Sequence, residues 1–410
     1  MNRLGSVFAP LRHRNFRLLF FGRVVSFAGS AMAPVALAFA VLGIGGSPTE
    51  LGLVLALAIL PQIFFLLVGG VIADRLPRHL VMVASNLVAG LAQAVCAYLL
   101  ISGNAEIWQL AVIALVRAVA SSFFYPASQG IVPQTVAAED LQPANALLRL
   151  ALNATNIGGA ALGGLLVALV GPGWAIAFDA LSYVGAAAIL LPIKVRAPER
   201  TGTSFVHELR EGWREFSSRT WIWIVVLGFA FANAAEAGAI NVLGPLIAKE
   251  SLGGASVWGF VLAATGVGLV IGGLIALRIR PERPLFVGVA EITLLFPPLV
   301  LLAIEAPWPV IAASTLLAGI GVELFSVFWD TSLQAHVPNE VLSRVSAWDA
   351  IGSLVLIPAA YAIVGPLSDA IGIDETLWLC AGIVLVAITA QLLSRQVREL
   401  PRLPPEPEPV

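Results

Sequence analysis

The chain has 410 residues, 59% of them hydrophobic and only 12% charged, with a formal net charge of −2. A soluble domain is nearer a quarter charged, so this balance argues against a soluble protein; the net charge itself says little, since placement matters more than the sum, and no nucleic-acid partner is expected. About twelve apolar runs, each close to the ~20 residues that cross a ~30 Å hydrocarbon core, read as an all-α membrane protein with twelve transmembrane helices. The 38 glycines lie largely inside those runs, which suits close helix–helix packing in lipid. Cys96 and Cys380 both fall within predicted spans and read as core filling, with no metal site.

Taken in order, the predicted spans cover residues 16–44, 49–73, 80–101, 107–130, 143–170 and 173–193, then 221–248, 255–277, 284–304, 308–329, 347–368 and 375–394. The segment Met1 to Arg17 is basic and lacks a small-residue cleavage site before the first run, which is therefore expected to be retained. Arginine and lysine separate the loops cleanly. Arg3, Arg12, Arg14 and Arg17 precede the first span; Arg75 and Arg78 follow the second; Arg210, Arg214 and Arg219 lie between the sixth and seventh. The opposite loops hold only Lys249 among several acids. By the positive-inside rule both termini and the loop between the sixth and seventh spans are expected on the cytoplasmic side. Trp108, Trp174, Trp258, Trp308 and Trp378 fall near outer span ends and read as an interfacial belt. Between the sixth and seventh spans, Phe205, Leu209, Trp213 and Phe216 recur at helical spacing among charges. This predicts an amphipathic helix, lying either on the membrane surface or on the protein's own inner face. Residues 401–410 are rich in Pro and Glu and read as a disordered tail.

The chain repeats itself. Gly69 to His79 reads G-G-V-I-A-D-R-L-P-R-H, and 203 residues later Gly272 to Pro281 reads G-G-L-I-A-L-R-I-R-P, with Leu277 in place of Asp74. A second pair agrees: Ser122 to Pro133 (S-F-F-Y-P-A-S-Q-G-I-V-P) and Ser326 to Pro338 (S-V-F-W-D-T-S-L-Q-A-H-V-P), offset by 204 to 205. Six spans, a linker and six related spans in the same orientation form a parallel repeat, the plan of the major facilitator class of secondary transporters. The expected division is 1–194 for one lobe, 195–220 for the linker, 221–400 for the second lobe and 401–410 for the tail.

Gly70, Asp74, Arg75 and Arg78 stand where the major facilitator superfamily carries its G-x-x-x-D-R-x-G-R-K signature, with Pro77 in place of the second Gly and His79 in place of the last basic residue. The chain thus resembles that superfamily, and the resemblance implies a cytoplasmic gate at these four residues. Arg117 looks like the family's intramembrane arginine, without its usual following glycine. Gly158, Gly159 and Gly163 resemble the fifth-helix signature linked to antiporters, with Gly159 where proline is usual. Asn15-Phe16-Arg17, Leu60-Pro61 and Phe178-Asp179-Ala180-Leu181-Ser182 are similar to the bacterial branch that contains the enterobactin exporter and macrolide efflux proteins. That resemblance implies proton-driven export of an amphiphilic molecule by a protein without a cofactor.

A charge inside the hydrocarbon is costly and marks a functional hypothesis. Glu236 falls near the middle of the seventh span in a small, polar stretch with Asn233 and Asn241. A buried carboxyl can trade its charge for a proton, so Glu236 is the leading proton carrier, and it could also pair with a cationic substrate or hold a partner helix. Arg117 is a candidate for modulating that acid or binding an anionic group, or for bracing helices; Glu323 in the tenth span is a third candidate. Phe231, about one turn from Glu236, is a candidate cavity aromatic. Asp330 reads as a gate or loop acid, and Arg23, Arg149, Asp179 and Glu291 as side chains reaching toward an interface. No nucleotide cradle or nucleophile constellation is present in the sequence, so an enzyme reading has almost no support. The sequence therefore supports an exporter working by alternating access as a monomer, its partners a small molecule, protons and the lipid bilayer. A facilitator or importer of the same fold, and a non-transporting receptor or lipid-handling protein, are the alternatives.

Overall fold

The computed structural model describes residues 8–73, 77–137, 140–195 and 205–402. Asp74 and Arg75 of the expected gate, 196–204 of the linker and 403–410 of the expected tail lie outside the described residues. Among the described residues the chain is helical, without strands. Eleven of its helical segments are long and apolar enough to cross a membrane. The remaining predicted span coincides with the helix Pro48–Ala73, whose described apolar part, Pro48–Pro61, is shorter.

The contacts divide the chain into two compact units, Met1–Gly202 with Gly253–Ala263, and Thr203–Leu252 with Ala264–Val410. The first contains α1 (Arg14–Ser30), α2 (Ala33–Gly43), α3 (Pro48–Ala73), α4 (Arg78–Ile101), α5 (Ile107–Gly130), α6 (Leu141–Val170) and α7 (Pro172–Leu190). One apolar cluster ties its ends together through Phe16 and Leu19 of α1, Met82 of α4, Phe124 of α5, Leu147 of α6 and Leu190 of α7. The 253–263 segment joins this unit because Gly164 of α6 lies against Gly259 with no room for a side chain between them.

The second unit contains α8 (Phe205–Ser218), α9 (Thr220–Gly238), the greater part of α10 (Ala255–Ala276), α11 (Pro284–Glu291), α12 (Phe296–Ala303), α13 (Trp308–His336), α14 (Asn339–Leu354), α15 (Ile357–Ile371) and α16 (Ile373–Leu393). In lipid, apolar burial does not drive helices together, and close backbone approach has to do so. The α10–α13 crossing follows that rule. A Cβ on Gly268 would stand 2.0 Å from the carbonyl oxygen of Leu316, and one on Gly319 would stand 2.2 Å from that of Thr265.

Several predicted spans are interrupted, and proline explains where. It lacks the N–H that would continue the helical ladder. The first span breaks at Ala31–Met32 and restarts with Pro34 near the N-terminus of α2. The ninth passes through a 3₁₀ turn, Ile292–Leu295, into α12 with Pro297 and Pro298. The eleventh restarts at α15 with Pro358 and begins earlier than expected, at Asn339. The seventh runs from α9 through a π-helical stretch, Ala239–Leu243, a short α segment with Pro245, and a second π stretch, Ala248–Leu252.

Two surface readings change. Trp258 is 1% exposed and belongs to the core, whereas Trp108, Trp174, Trp308 and Trp378 are exposed as an interfacial belt requires. Of the two readings of the linker helix, α8 takes the one on the protein's own surface. Gly212 lies against Arg344 too closely for a Cβ, and the rings of Trp213 and Trp348 meet edge-on at 4.8 Å.

Candidate functional site

The first unit carries a polar knot in its interior. Asp179 of α7 is 0% exposed. Its Oδ2 accepts a 2.6 Å hydrogen bond from Gln93 of α4, and Ser30 Oγ of α1 lies 3.5 Å from Oδ1 and 2.9 Å from the Tyr183 hydroxyl. Arg117 of α5 hydrogen-bonds Tyr183 and interacts electrostatically with both Tyr183 and Asp179. Helical geometry makes this possible: Asp179 and Tyr183 are four apart and share one face of α7. The space beside Arg117, Gln93 and Cys96 is about 10 Å³, about enough for one water. Asp179 therefore does not reach toward an interface as its place near a span end suggested. It is the buried counter-charge of Arg117. Arg23, read the same way, is 2% exposed, with its guanidinium 5.7 Å from the centre of the Phe27 ring.

The second unit places its polar groups differently. Glu236, half-buried on α9, interacts electrostatically with Tyr361 of α15, and Asn241 hydrogen-bonds that same tyrosine. Asn241 lies within the first π stretch, where its Nδ2 donates to the Ala237 carbonyl at 3.1 Å. π-Helical insertions are rare and frequent at functional sites. Pro245 provides a local reason for this one, since it has no N–H to give Asn241's carbonyl four residues back.

Asn233 is not part of that group. Its Nδ2 donates to the Ser353 carbonyl at 3.1 Å, on the wall of a cavity of about 320 Å³. Phe231 stands apart again. It is 48% exposed and lines a groove of about 850 Å³ with Trp223, Leu227, Trp378 and Gln391. Five residues separate it from Glu236, which turns it about 140° around the helix. Glu323 of α13 leans over Gly272 and Gly273 of α10, and the missing side chains there make room for it. Asp330 lines the cavity with Asn233. Its companion there, Asp349 of α14, escaped the sequence reading because it falls at a span end, where acids are ordinary. Trp329 Nε1 donates to Asp349 Oδ2 at 2.9 Å and Ser353 Oγ to Oδ1 at 3.3 Å.

Among the expected gate residues, Gly70 lies in α3, and Arg78 opens α4. The Arg78 guanidinium donates to the carbonyl of Gly130, the last residue of α5. A cation there complements the negative end of the helix. A Cβ at Gly130 would stand 2.5 Å from the guanidinium carbon, so a larger residue would push the Arg78 side chain aside. On α6, Gly159 and Gly163 back onto Ala31 and Met32 too closely for side chains, at the break between α1 and α2, whereas Gly158 faces open space. Among the described residues no group of three or more His, Cys, Asp or Glu is arranged to hold a metal ion.

These helices define a polytopic membrane transporter fold. It superposes with a TM-score of 0.75 on a bacterial homologue of the human lysosomal transporter Spinster, solved in an inward-facing, unoccupied conformation, covering 95% of this chain and 98% of the other at 14% identity. Residues 5–406 match the transmembrane secretion effector family, and the chain belongs to that family of the major facilitator superfamily. Among curated relatives, the multidrug efflux pump Tap of Mycobacterium tuberculosis is 26% identical over 395 residues, 91% of this chain and 93% of that protein. Macrolide efflux protein A of Streptococcus pyogenes is 22% identical over 404 residues, 95% of this chain and 99% of that protein.

Proposed function

We propose that this protein exports a small amphiphilic molecule (a drug, antibiotic or siderophore) across the bacterial inner membrane, in exchange for protons. Two lobes, 1–194 and 221–400, would expose a central path alternately to each side, with both termini in the cytoplasm and the working unit a monomer. Efflux relatives over nearly the full length support the direction. The observation that carries proton coupling is Glu236 itself. It is a half-buried carboxyl on an apolar span, meeting a tyrosine and an asparagine on a π-helical insertion. An acid in such a place is expensive to keep charged. Protonation and deprotonation would change the cost of each state of the cycle, and so bias which way the lobes open. Asp74, Arg75 and Arg78 would serve as the cytoplasmic gate, and the bond from Arg78 to the end of α5 supports a fastening role for that residue.

The test is flux in proteoliposomes under an imposed pH gradient. Candidate substrates are loaded inside the vesicles or outside them. Wild-type protein should move substrate against its gradient, driven by proton flow the other way. Glu236→Gln should lose the pH-driven component and keep downhill exchange. Unaltered pH-driven flux in that variant would remove Glu236 from the mechanism.

A further inference from the structure

In the first unit, α6 carries an exposed polar face. Asn145, Arg149, Asn153 and Asn156 all stand exposed on this helix. At 100° per residue the four fall within about 80° of one another. The exposed leucines Leu162, Leu165 and Leu169 lie on the other side of the helix, as a lipid-facing surface requires. Beyond Asn156 the polar face runs on to Gly163 and Gly164, which are shut against Met32 and Gly259 too closely for side chains. The face is open along one half of α6 and sealed along the other. Arg149 is the one charge on the helix. Among the described residues, none of the four side chains enters a hydrogen bond or ion pair.

Depth sets this face apart. Counted back from Val170, Asn156 and Asn153 stand about 21 and 26 Å along the helix, inside a ~30 Å hydrocarbon layer, and Arg149 stands at its edge. A carboxamide exposed to lipid at such depth is costly, and polar side chains in spans turn to water-filled cavities instead. The stripe is therefore the wall of an aqueous recess that enters from the Leu141 end of α6 and stops where the glycines close it. A guanidinium at the mouth can grip a carboxylate through two parallel hydrogen bonds. The carboxamides below it both donate and accept, which suits the uncharged polar part of the same molecule. A cation would meet only like charge on this wall. The repeat does not reproduce it. At the offset of 204, Arg149, Asn153 and Asn156 fall on Ser353, Ile357 and Ala360.

We propose that this recess binds the carboxylate head of an anionic amphiphile, with Arg149 setting the specificity for charge. The proposal rests on the export reading in one respect, that the bound amphiphile is cargo.

The test uses the full-length protein in phosphatidylcholine nanodiscs, which leave both membrane faces open to solution. Asn153→Cys and Asn156→Cys are labelled with 2-sulfonatoethyl methanethiosulfonate, an anion, and with its cationic trimethylammonium counterpart. The native Cys96 and Cys380 are buried and give a low background. Both new positions should react, and Leu165→Cys on the lipid side should not. Arg149→Gln should lower the anion-to-cation rate ratio at Asn153→Cys about tenfold, the effect of one charge at about 6 Å, and Arg149→Lys should restore it. N-dansylleucine should slow labelling of Asn156→Cys, and its uncharged carboxamide should need about tenfold or more concentration to do the same. Absence of labelling at both asparagine positions, or a rate ratio indifferent to Arg149, overturns the recess. Equal protection by carboxylate and carboxamide, protection by neither, or protection only by phosphatidylglycerol added to the disc overturns the cargo site. Proteoliposomes separate the two readings. Protection by N-dansylleucine without its pH-driven flux upholds the site and defeats export. pH-driven flux of another compound, with both asparagine positions unlabelled, does the reverse.

Discussion

In the first unit, Arg117, Asp179, Gln93, Ser30 and Tyr183 face one another and leave about 10 Å³ beside them. In the second, Asp349, Asp330 and Asn233 surround about 320 Å³. The repeat makes this a controlled comparison. At the offset of 204, Arg117, Asp179, Gln93 and Tyr183 fall on Gly321, Ile383, Pro297 and Ala387, and Glu236 falls back on Met32. The charged residues of each group have no charged counterpart in the other half. A polar network that satisfies itself resists change, because removing any member strands the others. One arranged around open space leaves room for a ligand or a proton beside it. The comparison points to a first unit that holds shape and a second that responds.

The sharpest way to break this contrast is Asp179→Ala. It leaves the Arg117 charge without its counter-charge, and breaking a buried pair costs about 3–5 kcal/mol. Denaturant or thermal unfolding in detergent should show a loss of that order, and a loss under about 1 kcal/mol would mean that the knot is not structural. Glu236→Gln should do the opposite, lowering pH-driven flux by about tenfold or more while stability holds, as expected of a titrating acid rather than a brace. Next come the glycines. Gly268→Ala drives a methyl into the Leu316 carbonyl, and such overpacking costs about 1–3 kcal/mol. Gly158→Ala enters open space and should gain about 0.5–1 kcal/mol from helix propensity alone. Equal effects of the two would undo the close-crossing argument. The smallest expected difference concerns the repeated turn. Asp74→Asn should slow transport cycling several-fold more than Arg278→Gln, since Leu277 leaves the second copy without the acid. Matched rates would make that asymmetry meaningless.

The membrane class and eleven of the spans were legible because hydropathy over about 20 residues is a local property of a chain. Residues whose meaning depends on partners were harder to read. Asp179 looked interfacial by its distance from a span end, and only the packing of α4, α5 and α7 shows it locked to Gln93 and Arg117. Asp349 was not singled out in the sequence, because its hydrogen bond comes from Trp329 twenty residues before it. Phe231 illustrates the reverse error. Proximity in sequence suggested company for Glu236, and the 100° turn per residue takes it elsewhere. The α9 π-helical stretches were not foreseen, although Pro245 was there to signal a fault in the ladder.

At the α10–α13 crossing even the smallest side chain would meet main-chain oxygen. Elsewhere two helices can slide as side chains change rotamer, like a bearing running on grease. Here there is no such layer, and backbone rests on backbone at Gly268, Gly272 and Gly319. Shear between these two helices is therefore blocked at both ends of the contact. In any motion the protein makes, this part of α10 and α13 has to travel as one strut, with Glu323 carried on it.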